Sequence, residues 1–264
     1  MRRRFLPLIL AMLGLLTLAP SAGAITNGQF DSTNQYSNVG LIAFYDETGE
    51  YLHRCSGTLI SPTVVLTAGH CTSGTSYAYV FFDPDLSDSL LDFSNVLKDG
   101  YLGTPYTYPG YDDFATFPNT GDVGVVVLSK PVRNATYATL PEAGVLDSYA
   151  SKKGQQSITV TVVGYGVQQL AGTDSSERKR FFGTSKINNI TSSLADGYNL
   201  QTSSNSGRYS GGTCFGDSGG PVFLGDSTTI VAVTSFGISP NCTGVDYSYR
   251  IDQEPVLEWI YSFL

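Results

Sequence analysis

Residues 211–221 read GGTCFGDSGGP and place one serine, Ser218, in a run of glycines. A serine hydroxyl is a weak nucleophile at neutral pH and reacts only when a neighbouring base takes its proton. That base needs a buried carboxylate, which fixes its tautomer and stabilises its charged form. A catalytic role for Ser218 therefore requires a histidine and an acid elsewhere in the chain.

Two other stretches supply those residue types. Residues 64–71 read VVLTAGHC, an apolar run that ends at His70, and residues 119–131 read NTGDVGVVVLSKP, where Asp122 precedes an apolar run. Taken singly, each residue is more often structural: a packed histidine, a turn aspartate or a serine in a glycine-rich loop. Their combination, with cysteines near the histidine and the serine, predicts a nucleophilic triad of His70, Asp122 and Ser218.

These motifs resemble those of the chymotrypsin-like (trypsin-like) serine peptidases, and the resemblance extends over residues 25–264. Residues 66–71 (LTAGHC) look like the family's histidine motif, and residues 216–221 (GDSGGP) look like its serine motif. Residues 108–111 (YPGY) are similar to the stretch before the family's catalytic aspartate. The resemblance implies a serine endopeptidase that hydrolyses peptide bonds in proteins or peptides through an acyl-enzyme intermediate.

Alternatives exist for the acid, the fold and the function. Asp112 and Asp113 are alternatives to Asp122, but no apolar strand follows them. The serine motif also satisfies the Gly-x-Ser-x-Gly pattern of α/β-hydrolases, which is excluded because the histidine comes first here and helical periodicity is rare. A non-catalytic relative that binds ligands in the same cleft is the second functional class. It is disfavoured because such relatives normally lose a member of the triad.

The remainder of the chain predicts an all-β protein. Short β-branched runs between turn residues are typical of buried strands, and the resemblance implies two six-stranded antiparallel β-barrels. The first barrel is expected over about residues 25–137, and the second, with a C-terminal α-helix that begins near Pro255, over about 138–264. Residues 83–120 and 167–183 lack periodicity and are predicted to be loops. The predicted strands are Val39–Tyr45, Cys55–Ile60, Val64–Ala68, Ala78–Phe82, Val123–Leu128, Ile158–Gly164, Gly220–Phe223, Ile230–Phe236 and Val245–Ile251.

Residues 1–24 are predicted to be a signal peptide, so the mature protein is expected to be secreted and extracellular. Three arginines precede an apolar run and a small-residue cleavage site, Ala22-Gly23-Ala24. The run is shorter than the ~20 residues that a membrane-spanning helix needs. Cleavage would make Ile25 the N-terminus. In the family that this chain resembles, such a residue pairs its ammonium with the aspartate before the catalytic serine, here Asp217, and thereby organises the oxyanion hole.

The resemblance assigns further positions in the site. The backbone N–H groups of Gly216 and Ser218 would form the oxyanion hole, where a glycine allows close approach. Ser235, Phe236 and Gly237 would bind the substrate as an added strand.

The four cysteines, all in the part of the chain expected to be exported, predict two disulfides. The residues alone permit three connectivities, and the resemblance implies Cys55–Cys71 and Cys214–Cys242. Metal ligation is disfavoured because no Cys-x-x-Cys is present. His53 matches a structural position of the family and is left out of the catalytic set.

Gly212 and Asp246 bear on the specificity pocket. Counted back from Ser218, Gly212 takes the position that holds an acid in trypsin-like members, so an uncharged pocket base and an apolar P1 residue are expected first. Asp246 leaves a basic P1 residue open, because some members carry an acid on the pocket wall. Alternatively, Asp246 belongs to a one-residue insertion and points elsewhere.

The net negative charge limits the kinds of partner that the protein can bind. Removal of Arg2, Arg3 and Arg4 with the leader leaves 12 Lys and Arg against 23 Asp and Glu, so the formal charge goes from −8 to −11. Such a field repels nucleic acid and anionic lipid. We expect a monomer without membrane or nucleic-acid partners that binds substrates and protein inhibitors. No cofactor or metal is expected, although the acids of residues 81–93 leave calcium open; their spacing is not that of an EF-hand loop. These acids are Asp83, Asp85, Asp88 and Asp92.

Overall fold

The computed structural model describes residues 25–87, 100–149, 158–170, 173–175, 178–203 and 211–264, with the backbone only for 168–170 and 173–175. The predicted signal peptide, Asp88 and Asp92 lie outside them. The described elements are mainly strands, as predicted. They are β1 (Gln29–Phe30), β2 (Val39–Tyr45), β3 (Tyr51–Leu59), β4 (Val64–Thr67), α1 (Gly69–Thr72), β5 (Tyr77–Phe81), β6 (Tyr101–Thr107), β7 (Gly124–Leu128), a 3₁₀ turn (Asp147–Tyr149), β8 (Thr159–Gly164), β9 (Gln168–Leu170), β10 (Thr173–Ser175), β11 (Phe181–Asn189), β12 (Asn199–Ser203), β13 (Pro221–Leu224), β14 (Ile230–Gly237), β15 (Val245–Arg250) and α2 (Glu254–Tyr261).

The first barrel closes in the order β2-β3-β4-β7-β6-β5, and its strand pairs are antiparallel. Every residue of β2 is buried, as is typical of an apolar strand without polar alternation that is covered on both faces. β2 pairs with β3 on one side and with β5 on the other.

The second barrel contains β8, β11, β12, β15, β14 and β13, and it closes because β8 pairs with both β11 and β13. Two six-stranded antiparallel barrels with a C-terminal helix were expected, and this fold is confirmed. At the beginning of the chain β1 pairs with β11, so Gln29 and Phe30 lie on the second barrel, although they fall in the range expected for the first.

Each of the nine predicted strands is present, with ends that differ by up to four residues. The prediction of loops over residues 83–120 and 167–183 was wrong in part. β6 lies in the first stretch, β9 and β10 lie in the second, and β11 begins there. β1 and β12 were also missed.

The largest buried cluster lies between the two barrels. Leu66 and Val125 of the first barrel belong to the same cluster as Val163 and Val233 of the second, and α2 adds Ile260. The barrels are thereby held together by apolar packing, with a cleft lined by residues of both. No helix in the described part of the chain has the length and apolarity to cross a membrane.

Candidate active site

The three residues of the predicted triad come from three different segments. His70 lies in the single turn of α1, which follows β4. Asp122 lies two residues before β7, after Gly121, whose φ of 59° favours glycine. Ser218 lies in the loop before β13. The loop residues and the ends of strands thus carry the polar groups, while the barrels beneath them are apolar.

His70 and Asp122 are joined by hydrogen bonds. The Nδ1 atom of His70 lies 2.9 Å from Oδ2 of Asp122, and the backbone N–H of His70 donates to Oδ1 at 2.8 Å. The Ser235 hydroxyl donates to Oδ2 as well. The Asp122 carboxylate is fully buried, whereas the His70 side chain is 25% exposed to the cleft. The histidine is therefore held with Nδ1 towards the acid.

The electrostatic environment keeps Asp122 ionised. Burial opposes ionisation, but the charge on His70 and the hydrogen bonds from His70 and Ser235 outweigh it, so the pKa of Asp122 lies below its usual value. Asp112 and Asp113 have other partners: Thr116 donates to Asp112, and Tyr111 donates to Asp113. The geometry thus favours Asp122 over the two alternatives.

Ser218 and His70 line the same cavity, of about 550 Å³. Within the described residues no hydrogen bond joins their side chains. Catalytic hydrogen bonds are often long without substrate and tighten when it binds. The arrangement therefore places the nucleophile Ser218 near the His70–Asp122 pair. The hydrogen bond from Ser218 to His70 would form when substrate binds.

The loop before Ser218 leaves two backbone donors unused. Among the described residues, neither the N–H of Gly216 nor that of Ser218 has a hydrogen-bond partner. Gly216 has a φ of 94°, and a side chain there would come within 3.0 Å of the Gly166 Cα. Both N–H groups can therefore donate to an anionic oxygen beside Ser218.

Asp217, between these donors, points into the protein. Its carboxylate accepts hydrogen bonds from the backbone N–H groups of Gly166 (2.8 Å) and Cys214 (2.9 Å). Burial raises the pKa of Asp217 to about 8, which the nearby Asp246 reinforces and these hydrogen bonds oppose. The charge of Arg54 favours the ionised form, but no ion pair is described for Asp217 in this continuous chain, so a cation placed beside it would stabilise the carboxylate.

Ile25, the predicted new N-terminus, is fully buried in the second barrel. Its neighbour Thr26 pairs with Gly212 through two backbone hydrogen bonds, of 2.8 and 3.2 Å. Side chains at Gly183 and Gly211 would approach Ile25 Cγ2 within 2.9 and 2.7 Å. The segment around Ile25 is therefore packed against the chain that leads to Ser218.

Of the two predicted pocket residues, Asp246 lines the cavity and Gly212 does not. Asp246 lines it and is 4% exposed, and its Oδ2 accepts the Thr213 N–H at 2.7 Å. Asp246 lies opposite Gly237 in the pairing of β15 with β14, and its side chain points towards the cavity rather than elsewhere. Gly212 is buried and pairs with Thr26, and it is not among the described residues that line the cavity.

Ser235, Phe236 and Gly237 all line the cavity at the end of β14. Aromatic residues that the sequence analysis did not single out lie beside them. The Phe114 ring is 6.1 Å from the His70 ring and 6.2 Å from that of Phe236. Phe114 has a φ of 63°, a rare conformation for a large side chain. An aromatic residue directly after Asp112 and Asp113 was the only signal for it in the sequence.

Both disulfides flank the site. Cys55 is bonded to Cys71, next to His70, and Cys214 is bonded to Cys242 across the cavity wall. His53 Nε2 lies 2.9 Å from the Cys71 carbonyl oxygen, and burial lowers the pKa of His53, which suits a packing role.

Cys55, His70 and Cys71 form the one group of possible metal ligands among the described residues. The disulfide removes both thiolates that a metal would need. Asp83 and Asp85 form no such group within the described part, and calcium stays an untested possibility.

Known proteins are similar to this chain in sequence and in fold. The Trypsin family model matches residues 29–260. Over 201 residues the chain is 27% identical to a brachyurin from Leptuca pugilator, covering 72% of this chain and 79% of that protein. It is 26% identical to a chymotrypsin-like serine proteinase from Haliotis rufescens, covering 97% and 98%. The structure of HL collagenase superposes with a TM-score of 0.68 at 18% identity, covering 89% and 96%, and so shares the fold.

Proposed function

The chain belongs to the trypsin family and is a chymotrypsin-like serine endopeptidase, and from this premise we propose that His70, Asp122 and Ser218 are its catalytic triad. The observation that carries the proposal is the hydrogen bond of 2.9 Å between His70 and the fully buried Asp122, in a cavity that Ser218 shares. Its substrates are proteins or peptides, as the family implies.

The proposed reaction assigns one task to each group. His70 Nε2 takes the proton of the Ser218 hydroxyl as the oxygen attacks the peptide carbonyl carbon, and Asp122 stabilises the imidazolium that forms. The N–H groups of Gly216 and Ser218 donate to the carbonyl oxygen as it becomes negative. His70 then protonates the leaving amine, which yields an acyl-enzyme on Ser218, and water attacks that ester by the same route in reverse.

The amino-terminal segment supplies the proposed activation. Cleavage after Ala24 by signal peptidase, during secretion, would create an ammonium on Ile25, and its buried position supports pairing with Asp217. The ammonium would neutralise a carboxylate whose pKa burial raises to about 8, and so hold the adjacent Gly216 in place. N-terminal sequencing of the active protein tests this: a mature chain that begins at Ser21 or Gly23 with full activity would disprove it.

The pocket supports a revised choice of P1 residue. Because the Asp246 carboxylate lines the cavity, we expect a long basic side chain to be accepted, in preference to the apolar P1 residue that Gly212 suggested. Thr213 donates to one carboxylate oxygen, which keeps the charge oriented in the wall. The segment from Ser235 to Gly237 would pair with the substrate backbone as an added strand.

The deciding experiment is cleavage of a peptide library that varies at P1, with Ser218→Ala as the matched inactive control. We expect cleavage by the parent protein, preferentially after Arg or Lys, and none by the control. Labelling of Ser218 alone by a serine-directed fluorophosphonate would support the acyl-enzyme route. Equal cleavage by both proteins would contradict the triad, and products ending only in Phe, Tyr or Leu would contradict the role of Asp246. The monomeric state, protein inhibitors and the exclusion of nucleic acid and membrane stay predictions.

A further inference from the structure

A buried arginine outside the cleft connects the amino-terminal segment to both barrels. Arg180 and Asp31 are each 0% exposed, and Nε of Arg180 donates to Oδ2 of Asp31 at 2.8 Å. The Asp31 backbone N–H donates to the Arg180 carbonyl oxygen at 2.9 Å. Asp31 also accepts the backbone N–H groups of Gln35 (2.8 Å) and Tyr36 (3.0 Å). The carboxylate thus fixes the turn that follows β1.

The remaining guanidinium donors reach three other segments. Arg180 Nη1 donates to the carbonyl oxygens of Val39 (2.8 Å) and Phe82 (3.1 Å), both on the first barrel. It also donates to the Tyr165 hydroxyl at 3.0 Å, on the second barrel, while Nη2 donates to Asn34. One planar side chain therefore sets the mutual position of the amino-terminal segment and the two barrels, which a flexible ammonium could not do.

Tyr165 continues this connection to the oxyanion hole. It lies between Gly164 and Gly166, and side chains at these two glycines would clash with the Asp217 carboxylate. Burial raises the pKa of the Tyr165 phenol, so it stays protonated and donates to the Asp83 carbonyl oxygen at 2.7 Å. The segment that holds Asp217 is thus tied through Tyr165 to Arg180.

A second contact leads from Tyr165 to the oxyanion loop. The Tyr165 backbone N–H donates to the Ser56 hydroxyl at 3.0 Å, and that hydroxyl donates to the Gly216 carbonyl oxygen at 3.0 Å. The Ser56 backbone N–H also donates to the Ser218 carbonyl oxygen at 2.8 Å. Movement at Tyr165 would therefore reach Gly216 and Ser218, the two residues whose N–H groups are the oxyanion donors.

We propose that Arg180 and Asp31 are positioning residues for catalysis: their buried ion pair holds the amino-terminal segment so that Ile25 stays inserted beside Asp217. The inference rests on the proposed activation by the Ile25 ammonium. Only five residues separate Ile25 from Asp31, and β1 pairs with Phe181 and Phe182 directly after Arg180. Breaking the ion pair between Arg180 and Asp31 would free the Asp31 end of the amino-terminal segment and thereby weaken the insertion of Ile25.

Insertion is linked to pH, which gives a readout that a purely structural role would not move. Only the protonated α-amino group pairs with Asp217, so activity is lost as that group deprotonates. A tenfold weaker preference for the inserted state lowers the pH midpoint of this loss by about one unit. At pH values below this midpoint, the activity of each molecule with Ile25 inserted stays unchanged.

The test compares Asp31→Asn with the parent protein and with Asp252→Asn. Asp252 is the matched control because it is 1% exposed and pairs with the buried Arg250 at 2.8 Å, outside this network. We expect Asp31→Asn to lower the alkaline midpoint of kcat/KM by about one pH unit or more, with normal kcat/KM per active site titrated at low pH. Asp252→Asn should lower Tm and leave the midpoint in place.

Tyr165→Phe is a second test of the same network, in case Asp31→Asn does not fold. It removes one hydroxyl, keeps the ring, and should shift the midpoint in the same direction. Unchanged midpoints in both Asp31→Asn and Tyr165→Phe would overturn the positioning role. If instead the parent protein shows no alkaline loss of activity, or is active with residues still joined to Ile25, the activation itself fails and this inference falls with it.

Discussion

An amino-terminal extension should make stability depend on pH through Asp217. We consider two chains with Ser218→Ala to prevent self-cleavage, one that begins at Ile25 and one that begins at Gly23. In the longer chain the nitrogen of Ile25 is an amide, and the buried Asp217 has no ammonium beside it. Its pKa is then about 8 in the folded protein, chiefly through burial, against the usual 3.8.

Proton binding by Asp217 determines whether the free energy of unfolding rises or falls with pH. Between about pH 4 and pH 8 the folded long chain keeps a proton on Asp217 that the unfolded chain has lost, so its free energy of unfolding falls as pH rises. A shift of about four units corresponds to a loss on the order of 6 kcal/mol across this interval. That approaches the whole stability of a typical domain. The long chain should therefore expel Asp217 from its buried position near neutral pH, which would disorder the oxyanion hole.

Urea unfolding at pH 5, 6, 7 and 8 measures the effect. We expect the long chain to lose several kcal/mol of unfolding free energy relative to the chain that begins at Ile25, and Asp217→Asn in the long chain to remove the difference. In the shorter chain the Ile25 ammonium stabilises the folded state below pH ~8, and this contribution fades as pH rises through its raised pKa. Parallel pH profiles for the two chains would refute the reasoning.

Three further substitutions test the site. Asp246→Asn should lower kcat/KM for substrates with Arg at P1 about 1000-fold, because an ion pair 4 Å apart at a dielectric constant near 20 contributes about 4 kcal/mol. The kcat/KM for substrates with Phe at P1 should change little. An unchanged ratio of the Arg and Phe kcat/KM values would exclude Asp246 from substrate recognition. Ser235→Ala removes a hydrogen bond to the charged Asp122 and should reduce kcat about 10- to 100-fold, measured with one peptide substrate at saturation; full activity would contradict its role. Replacing Cys55 and Cys71 together by Ala should cost about 3 kcal/mol by urea unfolding for a separation of 16 residues, and a loss below 1 kcal/mol would contradict that account.

The sequence predicted those strands whose own residues favour β-structure. Val39–Tyr45 was predicted with its observed ends, because its continuous apolar run has no other stable position than a covered strand. Tyr101–Thr107 was missed because Gly103 and Pro105 weaken β-propensity. It forms a strand because β5 and β7 pair with it on either side, which is tertiary information that a local pattern does not contain.

The same distinction holds within the site. His70 and Ser218 were identified because each lies in a short motif whose neighbours are adjacent in sequence. The position of Asp246 depended on strand register, because a shift of one residue would have turned its side chain to the opposite face. Only the assembled structure, in which Asp246 lies opposite Gly237 and lines the cavity, shows where this carboxylate points.

Arg180 shows why the polar connections behind the site escaped sequence analysis. It follows Lys179 at the end of a charged run, SSERKR, and such runs are usually solvated. Lys179 does remain partly exposed, whereas Arg180 is fully buried against Asp31, which is 149 residues away. Burial of a charge is favourable only when its partner and all its hydrogen bonds are in place, so it is a property of the assembled fold. Local motifs therefore reveal the groups that react, while a buried polar connection such as that between Arg180 and Asp31 is found only in the structure.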